Sequence, residues 1–258
     1  MRRWLAPAAL LLALLGAWEL AARWGVLADA LSLQPYLVPA PSDIASSLWT
    51  DRSLLASNAW VTLREVAGGL AVAIAVGFAL ALILHLSATL RRAVYPLLVA
   101  SQTVPIIAIA PILVVWFGFG IGPKLAIIAL VCFFPVTVNT LDGLRSADPE
   151  LAKLMRTLDA SRLQTLCRAE VPAALPYFLS GTRIAVAVGV IGAVFGEWSG
   201  SDAGLGHLIL VSNGVLDTAR VFAAVVVLSA MAIALFALVA AAERRIAWWS
   251  PRARERAA

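Results

Sequence analysis

Gln102, Thr103, Asn139, Ser180 and Glu197 are polar residues set within or at the ends of long apolar runs. Amide, hydroxyl and carboxylate groups at such places can line a path for a polar solute, because a polar side chain at membrane depth is costly without a partner. The same groups can bond one helix to another, and both readings stay open. Thr182 and Arg183 belong to the same set, but Arg183 lies about two turns past Pro176, near enough to the inner surface to snorkel. Glu197, beside Trp198, is the better gate candidate; a solvated interfacial carboxylate is the alternative. Covalent catalysis is not expected. The chain has no Ser/His/Asp or paired-carboxylate arrangement with catalytic spacing and no G-x-x-x-x-G-K-[ST] to cradle nucleotide phosphates. "GFGIGPK" (118–124) is glycine-rich with the wrong spacing. Cys132 and Cys167 form no C-x-x-C and have no histidine nearby, so neither a disulfide nor a metal site is expected. His85 and His207 are isolated and read as satisfied or solvated.

The elements that hold these residues are set by composition. The chain is 62% hydrophobic and 14% charged, against about 25% charged in a soluble domain. Lipid is therefore the expected solvent, and the fold class is all-α, a polytopic membrane protein. Six apolar segments, at about 4–22, 60–86, 94–117, 123–141, 174–197 and 219–247, are each near the length a helix needs to cross a bilayer. The first follows Met-Arg-Arg, and "ADA" at 28–30 has the look of a signal cleavage site. Its apolar stretch is long for a signal core and ends in Trp18, Glu19 and Trp24, so it is read as a retained span. The third and fourth carry Pro105, Pro111 and Pro135, which membrane helices tolerate when neighbours satisfy the freed carbonyls.

With six crossings and the N-terminus in the cytoplasm, 14 of the 20 Lys and Arg residues fall in inside segments and four in outside segments. That is a strong positive-inside bias, and it accounts for the net charge of +5 without nucleic acid as a partner. Trp4, Trp248 and Trp249 then fall at the inner interface, and Trp18, Trp24, Trp49, Trp60, Trp116 and Trp198 at or near the outer one. An amphipathic indole prefers the headgroup zone.

One stretch departs from this pattern. Residues 142–173 form a polar cytoplasmic loop containing "RTLDASRLQTLCRAEVPAALP" (156–176) and its lead-in. Asp148 and Pro149 make a good helix start. Leu151, Leu154, Met155 and Leu158 then recur on one helical face. The pattern breaks at Asp159-Ala160, and Ser161 with Gln164 resembles a capping box for a second helix. That helix sets Leu163, Leu166 and Cys167 opposite Arg162 and Arg168; Pro172 is expected to end it and Pro176 to open the next span. Two short amphipathic helices with a bend between them can lie on anionic lipid or present the bend to a cytoplasmic partner. A fixed bend joined stiffly to a span can pass a rigid-body push into the membrane.

The loop resembles the "EAA" loop of permease subunits of ATP-binding-cassette importers, whose pattern is E-A-A, three residues, Gly, nine residues, I-x-L-P. The glycine position falls on Asp159 and the terminal pair on Val171-Pro172. "ASR" (160–162) and "PAALPY" (172–177) match the usual surroundings. Lys153-Leu154-Met155 stands for E-A-A, and Ala169 for isoleucine. Aspartate is one of the few residues that tolerate the left-handed conformation favoured by glycine. "LVPAPSDIASSLW" (37–49), "SQTVPIIAIAPILVVWFGFGIGPK" (101–124), "CFFPVTVNTLDGLRSADPEL" (132–151) and "GEWSGSDAGLGHLI" (196–209) extend the likeness over nearly the whole chain. They resemble the subgroup serving nitrate, sulfonate, taurine and thiamine-precursor importers, with 101–151 most like hydroxymethylpyrimidine-type permeases.

The resemblance implies a single permease domain over 1–258 with the type I importer fold. It implies a homodimer around one path, two separate ATPase subunits that use ATP and Mg, and a periplasmic binding protein. The chain itself would bind no cofactor and would lie in a bacterial inner membrane with both termini cytoplasmic. Arg156, Leu158, Asp159, Ala160, Ser161, Arg162 and Pro172 would form the ATPase-coupling loop. The solute would be a thiamine-precursor pyrimidine, or alternatively nitrate, a sulfonate, taurine or a riboflavin-like compound. A self-sufficient secondary transporter or channel is the reading of another class. It would need buried acids on broken helices in repeated halves, whereas Glu19, Glu65, Glu197 and Glu243 all fall near interfaces and no repeat is visible. A membrane enzyme is disfavoured by the missing catalytic arrangement.

Overall fold

The computed structural model describes residues 2–30 and 32–247, and for residues 2–5, 8 and 35 the backbone alone; the expectations for Trp4, Trp248 and Trp249 fall outside it. Every long element among the described residues is helical: α1 (Arg2–Arg23), α2 (Val26–Ala30), α3 (Pro41–Thr50), α4 (Arg52–Leu86), α5 (Ala88–Ser101), α6 (Ile106–Phe117), α7 (Ile121–Arg145), α8 (Pro149–Thr157), α9 (Arg162–Thr165), α10 (Val171–Trp198), α11 (Leu205–Gly214) and α12 (Thr218–Ile246). The chain divides into two compact units, Met1–Val61 with Asp202–Ala230, and Thr62–Ser201 with Met231–Ala258.

In the first unit, Pro41 opens α3 with its φ already suited to a helix, and the Ala40 N–H donates to the Asp43 carboxylate at 3.0 Å. Ile44, Leu55, Leu205, Leu208, Ala223 and Ala224 form the buried cluster of this unit. Polar links hold its loops. Arg220 pairs with Asp51 at 2.9 Å, and the Gly204 N–H donates to Asn58 Oδ1 at 2.7 Å. The hydrogen bond from Arg220 holds the Asp51 carboxyl below the ordinary carboxylate range.

The second unit is built on α7. Gly181 of α10 sits against Pro135 and Asn139 of α7, Gly189 against Cys132, and Gly143 of α7 against Ala174 and Tyr177, an antiparallel register. Gly69 of α4 sits against Ile128 and Gly77 against Val136, a parallel register. Small residues let these backbones approach, which is how helices gain packing contact when the surrounding lipid is as apolar as they are. At Gly181 a Cβ would lie 2.6 Å from the Pro135 carbonyl oxygen, a backbone atom that cannot step aside. Gly181→Val is therefore expected to cost about 1–3 kcal/mol, read as a lower unfolding midpoint of the purified chain.

Four helical runs are long and apolar enough to cross a membrane: Arg52–Leu86, Ile121–Arg145, Arg162–Trp198 and Thr218–Ile246. The expected third span, 94–117, is not one helix. It is α5 and α6, bent by 100° at residues 102–105, and the pair together makes a fifth apolar element. Pro105 has no N–H to give, and it pushes Val104 out of the helical region. Ser101 and Thr103 hydroxyls donate to the Leu98 and Ala100 carbonyls at 2.7 and 2.8 Å, which satisfies acceptors freed by the break. The turn between α6 and α7 uses Gly118 and Gly120 at φ +74° and +128°, a region glycine enters without strain. Helix α1 covers the first apolar segment. Trp24, Trp49, Trp60, Trp116 and Trp198 are all exposed.

Candidate functional site

The bend in the cytoplasmic loop is a helix-end motif followed by a helix-start motif. Asp148 caps α8 by accepting the Glu150 N–H at 2.8 Å. At the other end the Asp159 N–H donates to the Arg156 carbonyl and the Ala160 N–H to the Met155 carbonyl, with Asp159 at φ +55°. These paired bonds define a Schellman motif, and Asp159 occupies its left-handed position, where glycine is usual. Next, Ser161 accepts the Gln164 N–H at 3.2 Å while its own N–H donates to Gln164 Oε1 at 2.8 Å. The capping box read from the sequence is present, and it starts α9.

The second helix does not stop at Pro172. A π-turn over Leu166–Glu170 joins α9 to α10, and the helix runs without interruption from Arg162 to Trp198. The Val171 N–H reaches back five residues to the Leu166 carbonyl. This widened turn places Pro172, which has no N–H to donate, where the ladder changes spacing. Pro176 likewise lies inside α10 instead of opening a new helix.

The outer face of this hairpin is apolar and bare. Leu151, Leu154, Leu158 and Leu163 are 43–73% exposed, with Arg156 exposed beside them. Its inner face is anchored: Leu166 and Ala174 pack with Leu84, Leu98, Leu141 and Leu144. His85, read as a satisfied or solvated histidine, is satisfied as part of this anchor. Its Nε2 lies 2.8 Å from Glu170 Oε2 and 3.1 Å from Arg162 Nη2, and Arg162 Nη1 lies 2.5 Å from Glu170 Oε1. The three side chains tie the root of the hairpin to the end of α4.

The polar residues within the apolar runs have separate surroundings. Gln102 and Thr103 are exposed at the break between α5 and α6, beside a cavity of about 290 Å³ that Pro105, Ile109 and Val131 also line. Gln102 donates to Ser101 Oγ at 3.2 Å. Asn139 donates to the Pro135 carbonyl at 2.8 Å and lies in the contact between α7 and α10. Ser180 is half-buried, 3.5 Å from an Arg183 nitrogen. Glu197 is 1% exposed and accepts a hydrogen bond from Thr62 at 2.6 Å, so it is not a solvated interfacial acid. Arg183 does not snorkel; it pairs with Glu243 at 2.6 Å, and both side chains are largely buried. Sequence reasoning missed the Glu65–Lys124 pair entirely. Lys124 Nζ lies 2.6 Å from Glu65 Oε1 and 2.6 Å from Ser201 Oγ, in a place the topology had made an outside loop. No spacing links residues 59 apart, so nothing in the sequence could have found the pair.

Comparison with known proteins matches residues 73–248 to the family described as binding-protein-dependent transport system inner membrane component. The formylaminopyrimidine transport permease protein ThiX of Halalkalibacterium halodurans is 41% identical over 95% of this chain and 96% of its own length. The riboflavin transport system permease protein RibX of Chloroflexus aurantiacus is 34% identical over 83% of this chain and 87% of its own. Among solved structures, the inward-facing MetNI methionine transporter shares the fold at TM-score 0.65 and 19% identity, covering 77% of this chain and 96% of that one. With the capped helical hairpin, the broken α5–α6 pair and the apolar helices α7, α10 and α12 all in the matched region, this chain belongs to the binding-protein-dependent inner membrane components, the permeases of ATP-binding-cassette transporters.

Proposed function

We propose that this chain is one of two identical permease subunits of an ATP-driven importer in a bacterial inner membrane, with both termini cytoplasmic. Each copy docks the hairpin at Arg156–Arg162 in a cleft on a separate ATPase subunit, which alone binds ATP and Mg. A periplasmic binding protein delivers the solute to the opposite side. The observation that carries the reading is the hairpin itself: four bare leucines around a rigid bend, continuous with a helix ending at Trp198. A rigid helix transmits displacement along its length, so a push at Ser161 moves α10 and, through their close contact, α7. A cysteine at Ser161, in an otherwise unchanged chain, is expected to crosslink to a co-purified ATPase. No contact, with uptake surviving a scrambled 149–165, sinks the proposal. Uptake that collapses with a proton ionophore but ignores ATP depletion favours the secondary transporter instead.

The solute is a small pyrimidine related to thiamine precursors. Support comes from the 41% identical relative, whose name specifies formylaminopyrimidine, and from the cavity at the helix break, where the Gln102 amide offers both a donor and an acceptor to ring nitrogens. Gln102→Leu is expected to lower pyrimidine uptake about five-fold, the worth of one hydrogen bond near 1 kcal/mol. Its unfolding midpoint should be unchanged, since among the described residues the Gln102 side chain bonds only its neighbour Ser101. Competition in reconstituted vesicles between formylaminopyrimidine and riboflavin distinguishes the two solutes that the relatives' names bring forward.

A further inference from the structure

We propose that the cavity between the start of α5 and the end of α7 is a binding site for a phosphate group, carried by an anionic lipid headgroup or free in solution. The cavity measures about 330 Å³ and is lined by Arg91, Arg92, Tyr95, Pro96, Leu141, Asp142 and Arg145. Helix periodicity builds it. Arg91 and Tyr95 share one row of α5, Arg92 and Pro96 the next, and Leu141 and Arg145 share a row of α7.

Three arginines face one aspartate there, an excess of two positive charges. None of the three arginines makes an ion pair among the described residues. Their position adds to the imbalance. Ser87 fixes the start of α5 by accepting the Leu90 N–H, so Arg91 and Arg92 stand just after a first turn that contains no acid. Cations there oppose the positive end of the helix dipole, and a bound anion relieves both repulsions. Guanidinium groups match phosphate oxygens in pairs. Tyr95, Pro96 and Leu141 supply apolar wall beside them, and both helix ends lie at the margins of apolar runs, where the headgroup layer of a bilayer lies. The inference is independent of the coupling reading, because it concerns neither the hairpin nor the helix break.

Native mass spectrometry of the detergent-solubilised full chain tests it, with phosphatidylglycerol and phosphatidylcholine in one arm and inorganic phosphate as competitor in the other. Phosphatidylglycerol is expected to be retained over phosphatidylcholine. Arg91→Ala and Arg145→Ala should each weaken retention about five-fold, Asp142→Asn should tighten it, and Arg244→Ala, which does not line the cavity, should leave it unchanged. Displacement by inorganic phosphate assigns the site to free phosphate as well as lipid; no displacement assigns it to lipid alone. Equal retention of phosphatidylcholine, or losses in Arg244→Ala matching those in Arg91→Ala, overturns the proposal. So does retention insensitive to both Arg91→Ala and Arg145→Ala. The opposite sign expected of Asp142→Asn separates loss of the site from loss of folding.

Discussion

Lys124→Met is expected to destabilise the folded chain by about 3–5 kcal/mol, and Glu65→Leu by a similar amount. The two side chains are 7% and 3% exposed and only 2.6 Å apart. Removing one partner strands a charge that water cannot reach. The second oxygen of Glu65, Oε2, is buried with no hydrogen-bond partner among the described residues, so its charge depends on Lys124. Replacing both residues with apolar ones of similar size removes the stranded charge, and such double replacements of buried pairs are often neutral. The double variant, Glu65→Leu with Lys124→Met, should therefore recover most of the lost stability. Thermal unfolding of the purified chain gives the measurement: a drop on the order of 10 °C for each single variant, and near-native behaviour for the double. A Lys124→Met chain as stable as the native one would refute the buried pair. The pair has structural reach as well, since it closes the register between α4 and α7 that Gly69 and Gly77 set along their length.

Asp159→Val should lower ATP-dependent uptake at least about five-fold, and Asp159→Gly should preserve or raise it. At φ +55° a β-branched residue is a steric outlier, with a penalty of about 1–3 kcal/mol. That penalty lowers the population of the bent hairpin, and with it productive docking, roughly 5- to 150-fold. Glycine reaches the same conformation freely. The Asp159→Val chain should still insert and fold, because the bend is exposed and bears no core residue. Uptake in vesicles containing the partner subunits, compared with the unfolding midpoint of the isolated chain, separates lost coupling from lost folding. Equal uptake by the valine and glycine variants would show that the bend's geometry does not matter for transport.

Much of this architecture was legible in the residues. Apolar length and the placement of Arg and Lys depend on each stretch of chain and the bilayer alone. The bend at Asp159-Ala160, the cap at Asp148 and the box at Ser161 were legible because they involve neighbours three or four positions apart, and the structure has all three. Prolines were read less well. Pro105 breaks a helix that Pro111 and Pro135 leave intact, and Pro172 passes through a π-turn instead of ending its helix. What a proline does depends on whether nearby hydroxyls or a widened turn can satisfy the carbonyls it frees. The sequence states the proline without stating that outcome.

By itself, then, the sequence determined that this is an all-helical membrane chain with a bent amphipathic hairpin, because hydrophobic length and end-capping are local properties. Only the tertiary structure decided which charged groups meet: Glu65 with Lys124, Arg183 with Glu243, and His85 with Glu170 and Arg162. Those pairings depend on which helix faces which and at what height. Between α4, α7 and α10 that register is set by glycine contacts between segments far apart in the chain, and no periodicity within one segment encodes it.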